Sequence, residues 1–154
     1  MKKKTKKRLI ILAILGIITT GVIGTIIFLT PHRDVKNTKS DFTVNAKVLV
    51  DEYLKDAIIA NNKYLSDDGD SKIFNITGRV DQIFKNQKNQ DVILLKAESD
   101  ELGVQCTFIL GEDVSKLVVG NTIIVKGKIE QGASYDEDLE LGEDVIIGEC
   151  SLVK

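Results

Sequence analysis

Two cysteines, Cys106 and Cys150, one histidine, His32, and two acidic clusters are the residues whose types could do chemistry in this chain. A thiol pair can close a disulfide or ligate a metal, but two cysteines and a distant His32 do not complete a tetrahedral metal shell. Asp67, Asp68 and Asp70 form one acidic cluster, and Asp136, Glu137, Asp138 and Glu140 the other. Carboxylates bind calcium, yet neither cluster follows the alternating spacing with a later Glu that wraps the ion. Both read as solvated loops. The second, with Tyr135 beside it, is also a candidate contact for a basic peptide or a cation. No Ser-His-Asp, Cys-His or phosphate-loop pattern is present. No catalytic residue, cofactor site or metal site is therefore expected, and the chain is not read as an enzyme.

The first forty residues differ from the rest. MKKKTKKR places six basic residues ahead of Leu9–Leu29, a run of 21 residues without charge. At about 1.5 Å rise per residue such a helix covers the roughly 30 Å hydrocarbon core of a bilayer. No small-residue cleavage pattern follows Leu29, so the run reads as an uncleaved anchor and not as a removed signal. Six basic residues before the span and three soon after it place the N-terminus in the cytoplasm. The expected organisation is a cytoplasmic basic tail over 1–8, a transmembrane helix over 9–29, a tether over 30–42 and a folded domain over 43–154. The whole chain has net charge −2, but residues 30–154 keep 15 of the 21 basic residues and all 23 acidic ones, a net charge of −8. An acidic domain of this kind repels polyanions, which argues against a nucleic-acid partner.

Beyond the tether, Ala46, Leu49, Val50, Tyr53, Ala57, Ala60 and Tyr64 recur every three or four residues, predicting one amphipathic helix capped by Thr43 or Asp41. Alternation then predicts five strands. In the first, Lys72 to Lys85, the residues Phe74, Ile76, Gly78, Val80 and Phe84 share a face. The second is Val92 to Ala97, and the third carries Val104, Cys106, Phe108 and Leu110 on one side. Val114, Leu117 and Val118 suggest a helical turn before the fourth, Thr122 to Gln131, with Ile123, Val125, Gly127 and Ile129 together. The fifth runs from Val145 to Val153 with Ile146, Gly148, Cys150 and Leu152 on a common face. FNITGRVDQ in the first strand and IIVKGKIEQ in the fourth repeat one phrase, with Gly78 answering Gly127. A glycine at an inward position lets a strand bend and a neighbour approach closely. A long first strand, five strands in all and an insertion between the third and fourth predict a mainly β, five-stranded OB-fold barrel preceded by one helix.

In that barrel the third and fifth strands are neighbours, so Cys106 and Cys150 either form a disulfide, contributing about 3 to 5 kcal/mol, or lie as two buried thiols. Phe74, Phe84 and Phe108 point inward, leaving few aromatic platforms for nucleic acid. Arg79, Lys126 and Lys128 are expected to pair across strands with Asp81 and Glu130.

ANNKYL, ITGRV, VQCTF, VGNTIIVKGKI and IGECSL, within residues 43–153, resemble the tRNA-anti-like family of bacterial OB-fold domains. The family has a helix ending in A-x-x-K-Y, a V-x-G-x-V strand, a strand bearing a cysteine, a G-x-x-V-x-V-x-G strand and a closing C-x-L. The resemblance implies a fold, not an activity. The expected function is a membrane-anchored, extracytoplasmic binding or interaction module on a single-pass helix. The alternative is a structural subunit of a cell-envelope complex, docking through its barrel or membrane helix.

Overall fold

The computed structural model describes residues 34–65 and 72–153. The expected transmembrane helix Leu9–Leu29, His32 and the Asp67, Asp68 and Asp70 cluster lie outside them. Among the described residues no helix is long and apolar enough to cross a membrane.

A short strand, β1 (Phe42–Asn45), comes first, so Thr43 is a strand residue and not a helix cap. Asp41 accepts instead from the Ile73 amide at 2.9 Å. Asn45 caps α1 (Ala46–Lys55), its side chain accepting from Lys47 N. The single expected helix is two. At Asp56 the backbone turns extended, and its carboxylate accepts from the amides of Ile58 and Ile59, both at 3.0 Å, to start α2 (Ala57–Tyr64). A side chain that satisfies the free amides of a first turn competes with helix continuation at its own position. The apolar stripe otherwise packs as its spacing predicts, with Ala46, Leu49, Val50, Tyr53, Ala60 and Tyr64 buried. Ala57 is exposed.

Five strands form the barrel: β2 (Ile73–Lys85), β3 (Asp91–Leu95), β4 (Val104–Phe108), β5 (Thr122–Gln131) and, after a small hairpin of β6 (Ser134–Asp136) and β7 (Leu141–Glu143), β8 (Val145–Leu152). The hairpin occupies what alternation left as an open acidic loop. Strand order is β2-β3-β4-β8-β5, with β1 added beside β2 and the barrel closed by β2 on β5. The length of β2 explains the closure: Ile73 to Arg79 pair with β5, while Val80 to Lys85 pair with β3. β4 and β8 run parallel and the other barrel pairs antiparallel.

Gly78 lies opposite Ile123, and Gly127 opposite Phe74, in these adjacent strands. A Cβ on Gly78 would come within 2.8 Å of Leu95 Cβ and 3.0 Å of Ala46 Cβ. One on Gly127 would lie 2.5 Å from Ile147 Cγ2 and 2.8 Å from Cys150 Sγ. Each glycine therefore makes room for a crossing neighbour.

Several face assignments change. The register shifts between Val80 and Gln82, and beyond it Phe84 is 42% exposed instead of inward. β4 ends at Phe108, so Leu110 is exposed. Residues 111–121 form turns without a helix; Val114 and Leu117 pack on the core, but Val118 is exposed. In β8, Val145 and Ile147 are buried and Ile146 is only half-buried. Glu149, at φ 52°, sits in a register irregularity that returns Cys150 to the interior.

α1 and α2 are fastened by Glu52, which accepts from Lys63 Nζ at 2.8 Å and from the Tyr64 hydroxyl at 2.6 Å. Those two hydrogen bonds, Lys63 first, hold its carboxyl below the ordinary 4.5. A depressed carboxyl contributes stability that is complete above its unfolded value and disappears as pH falls through its folded one. Chemical denaturation of Glu52→Gln beside the parent is expected to show the parent's advantage at pH 7 shrinking below pH about 4.5. An advantage constant with pH would rule out this lock.

Candidate functional site

A cleft of about 650 Å³ lies where α1, the β3–β4 loop and the β6–β7 hairpin meet. From α1 come Lys47, Asp51, Tyr53 and Leu54, followed by Lys55 and Asp56; the loop gives Asp100, Glu101 and Leu102, and the hairpin Tyr135 and Glu137. The hairpin is held against the barrel: Gln131 Nε2 and Ser134 Oγ each donate to Glu143 Oε2 at 3.0 Å. Leu102 packs so close to Gly142 that a Cβ there would come within 2.5 Å of it.

Five carboxylates and two lysines line the cleft. Lys47 Nζ reaches Asp100 at 3.1 Å and Asp51 at 3.6 Å. The Asp100 hydrogen bond is the main cause of its raised pKa. Asp56 is occupied in capping α2. Tyr53 is 2% exposed, its ring against Gly132, where any side chain would strike it. Its hydroxyl is buried without a hydrogen-bond partner among the described residues. Burial, and then Tyr64 nearby, push that phenol up to about 12, so it keeps its proton at neutral pH. Leaving such a group unpaired costs about 1–3 kcal/mol, and orphaned polar atoms of this kind are uncommon in folded proteins.

The acidic loop foreseen from sequence divides. Tyr135 and Glu137 line the cleft, whereas Asp138 and Glu140 do not. Asp136 shapes the hairpin turn, accepting from the amides of Asp138 and Leu139 at 3.0 Å. Tyr53, Leu54, Lys47 and Glu101 belong to the cleft without having been foreseen. The helical stripe marked Tyr53 as core, which it is, but no local pattern signals a buried hydroxyl without a partner.

Cys106 and Cys150 are fully buried free thiols in this structure. They enter the core from the adjacent parallel strands β4 and β8, with Cys106 opposite Ile147 and Cys150 opposite Phe108. Burial, then the neighbouring Cys106 thiol, raise Cys150 well above the ordinary thiol range. A thiol so protonated and enclosed is a poor nucleophile toward solvent reagents. Among the described residues no group of three or more His, Cys, Asp or Glu is arranged to hold a metal ion.

The expected basic stripe has different partners. Arg79 pairs with Glu98 at 2.9 Å and Lys128 with Glu149 at 2.6 Å, in place of Asp81 and Glu130. Lys126 Nζ donates to the Lys36 carbonyl at 3.0 Å. The cause is again local: Lys96 N bonds to Arg79 O where β2 leaves β3, bringing Glu98 alongside, and the Glu149 irregularity turns that residue toward Lys128.

A closed barrel of this strand order, with its first strand shared between two neighbours and a helical segment leading into it, is an OB-fold. Residues 1–139 match the tRNA_anti-like family, and the chain belongs to it. The match ends within the β6–β7 turn, so β8 with its closing Cys150 lies beyond it, although the sequence motifs extended to residue 153. No curated protein matched the chain.

Proposed function

We propose that this chain is a binding module, held on a membrane by Leu9–Leu29 with its barrel outside the cytoplasm, that takes its ligand in the cleft between α1 and the β6–β7 hairpin. The observation that carries the proposal is a 650 Å³ cleft, lined by five carboxylates and two lysines, whose wall includes the loop joining β5 to β8. In OB-folds the loop joining the fourth and fifth barrel strands is a recurrent binding element. The reading is one of binding without catalysis. The six basic residues before the apolar run, against three soon after it, support the orientation.

One variant tests both parts. With Cys106 and Cys150 fully buried, Tyr135→Cys supplies an accessible thiol on the cleft rim. In intact cells it is expected to react with a membrane-impermeant maleimide without permeabilisation. Coupled to a benzophenone maleimide, it should capture a cleft occupant that Lys88→Cys, in the β2–β3 turn, does not. Labelling only after permeabilisation would refute the orientation, and no capture, or equal capture from Lys88→Cys, would refute the cleft.

The exposed Ile58, at 75%, and its neighbour Ile59 on α2 favour the second reading, a subunit docked in an envelope complex. Partners recovered in fixed proportion with the parent and lost from Ile58→Asp would favour it.

A further inference from the structure

We infer that the end of the barrel bearing Leu110, Val118, Val119, Ile124 and Val153 rests on the outer surface of the bilayer, its occupant being the lipid interface; this rests on the membrane anchoring proposed above. The five side chains are between 40% and 73% exposed. The backbone gathers them at one end. β4 stops just before Leu110, where Ile109 N donates to Cys150 O at 3.0 Å. Val153 N donates to Ile124 O at 3.0 Å, and Asn121 N to Val118 O at 3.2 Å as the 111–121 segment enters β5. Glu112 accepts from Leu152 N at 3.2 Å, closing that segment onto the end of β8. Exposed apolar side chains grouped in this way mark a surface that meets something apolar.

The place where the chain joins the barrel identifies the occupant. Val35 is buried. Lys36 Nζ meets Glu112 at 2.8 Å, and Lys36 O accepts from Lys126 Nζ at 3.0 Å. Those contacts fasten the segment beside the patch, since Glu112 follows Leu110, and Lys126 follows Ile124, by two positions. Asp34, the first described residue, comes five positions after Leu29, a reach of at most about 18 Å for a fully extended chain. An apolar run inserted in the bilayer therefore keeps this end of the barrel within reach of lipid. So short a connection makes the contact intramolecular, and a patch of modest area suffices. Charge does not drive it: between Leu110 and Val118 lie Glu112, Asp113 and Lys116, with no excess of bases to attract anionic lipid. The β6–β7 hairpin and the cleft lie beyond the other end of the ten-residue β5, which turns them away from the bilayer.

The full chain reconstituted in phosphatidylcholine vesicles tests the inference. Val119→Cys and Leu139→Cys each supply one accessible thiol, because Cys106 and Cys150 are fully buried. Leu139, in the hairpin and 66% exposed, is an apolar control at the other end of β5. A nitrobenzoxadiazole probe on Val119→Cys should shift its emission to the blue and lose most of it to lipid carrying a nitroxide near the headgroup. On Leu139→Cys it should do neither. Val118→Asp with Val119→Asp, read from a probe on Leu110→Cys, should abolish the quenching with little change in melting temperature, both positions being exposed. No quenching at Val119→Cys, equal quenching at Leu139→Cys, or quenching that survives the double substitution, in chains that float with the vesicles, would each overturn the docking and leave the anchoring intact. A blue shift without quenching would assign the patch to a second copy of the chain instead. A chain that fails to float with the vesicles would overturn both readings.

Discussion

Replacing Phe74 by Ala is expected to cost about 3–5 kcal/mol, a large part of the roughly 5–15 kcal/mol that holds a domain of this size folded. The ring is fully buried at the start of β2. It stacks on Phe42 at 5.5 Å between centroids and meets Tyr64 edge-on at 5.1 Å, while Phe42 and Tyr64 also meet edge-on at 5.1 Å. These rings belong to β2, β1 and α2, so one side chain joins the added strand, the helical segment and the barrel. Offset and edge-to-face pairs add about 0.5–1.5 kcal/mol each beyond buried area. Tyr64→Phe is the informative comparison. It keeps the ring and loses the 2.6 Å hydrogen bond to Glu52, at a cost of about 1 kcal/mol. Denaturant unfolding of both variants measures the difference. Equal, small losses would mean that the helices and barrel are not coupled through this cluster.

What the sequence conveyed about the fold follows from how locally each feature is encoded. Alternation in β2 is written residue by residue, and Phe74, Ile76 and Val80 are buried on the face it assigns. A register irregularity is not written that way. Alternation continued without interruption sends Phe84 inward and groups Ile146 with Cys150. The shifts after Val80 and at Glu149 break both patterns. Cys150 nonetheless lies inside, because the irregularity at Glu149 shifts the alternation set by Val145 and Ile147 by one residue and turns Cys150 onto their face. Asp56 shows the same limit in a helix: the stripe of buried residues runs on through Ala60 and Tyr64, so periodicity alone concealed the break that its capping carboxylate makes.

The cleft was legible in part for a related reason. A run of acidic residues between the last two barrel strands is visible in any reading, and one of its members, Glu137, lines the cleft with the adjoining Tyr135. The other wall comes from α1 and the β3–β4 loop, far away in sequence, and is brought close by barrel closure. Nothing in SDEL, residues 99–102, marks Glu101 as a wall residue. The choice among carboxylates is likewise tertiary: Asp100 is taken by Lys47 across 53 positions of sequence, and its neighbour Glu101 is left free.

Gly127→Val and Gly148→Ala should differ sharply in effect, although both glycines sit where the β5 and β8 strands cross. At Gly127 the new Cβ would meet Ile147 Cγ2 at 2.5 Å, Cys150 Sγ at 2.8 Å and the Gly148 carbonyl oxygen at 3.0 Å. Ile147 and Cys150 are fully buried in the core, so the strands must part, and overpacking of this kind costs about 1–3 kcal/mol or more. Valine, with two further methyl groups, is expected at or above the upper end of that range. At Gly148 the atoms in the way are those of the Glu130 carboxylate, the far end of an exposed side chain that can swing into water. Gly148→Ala is therefore expected to change stability by less than about 0.5 kcal/mol, helped by the smaller freedom of alanine in the unfolded chain. Thermal melts of the two variants separate room from flexibility as the reason for a glycine here. If both lose stability alike, the glycines serve the bending of the strands themselves; if only Gly127→Val does, its repeated place in the sequence records the closeness of β8 to β5, the contact that shuts the barrel.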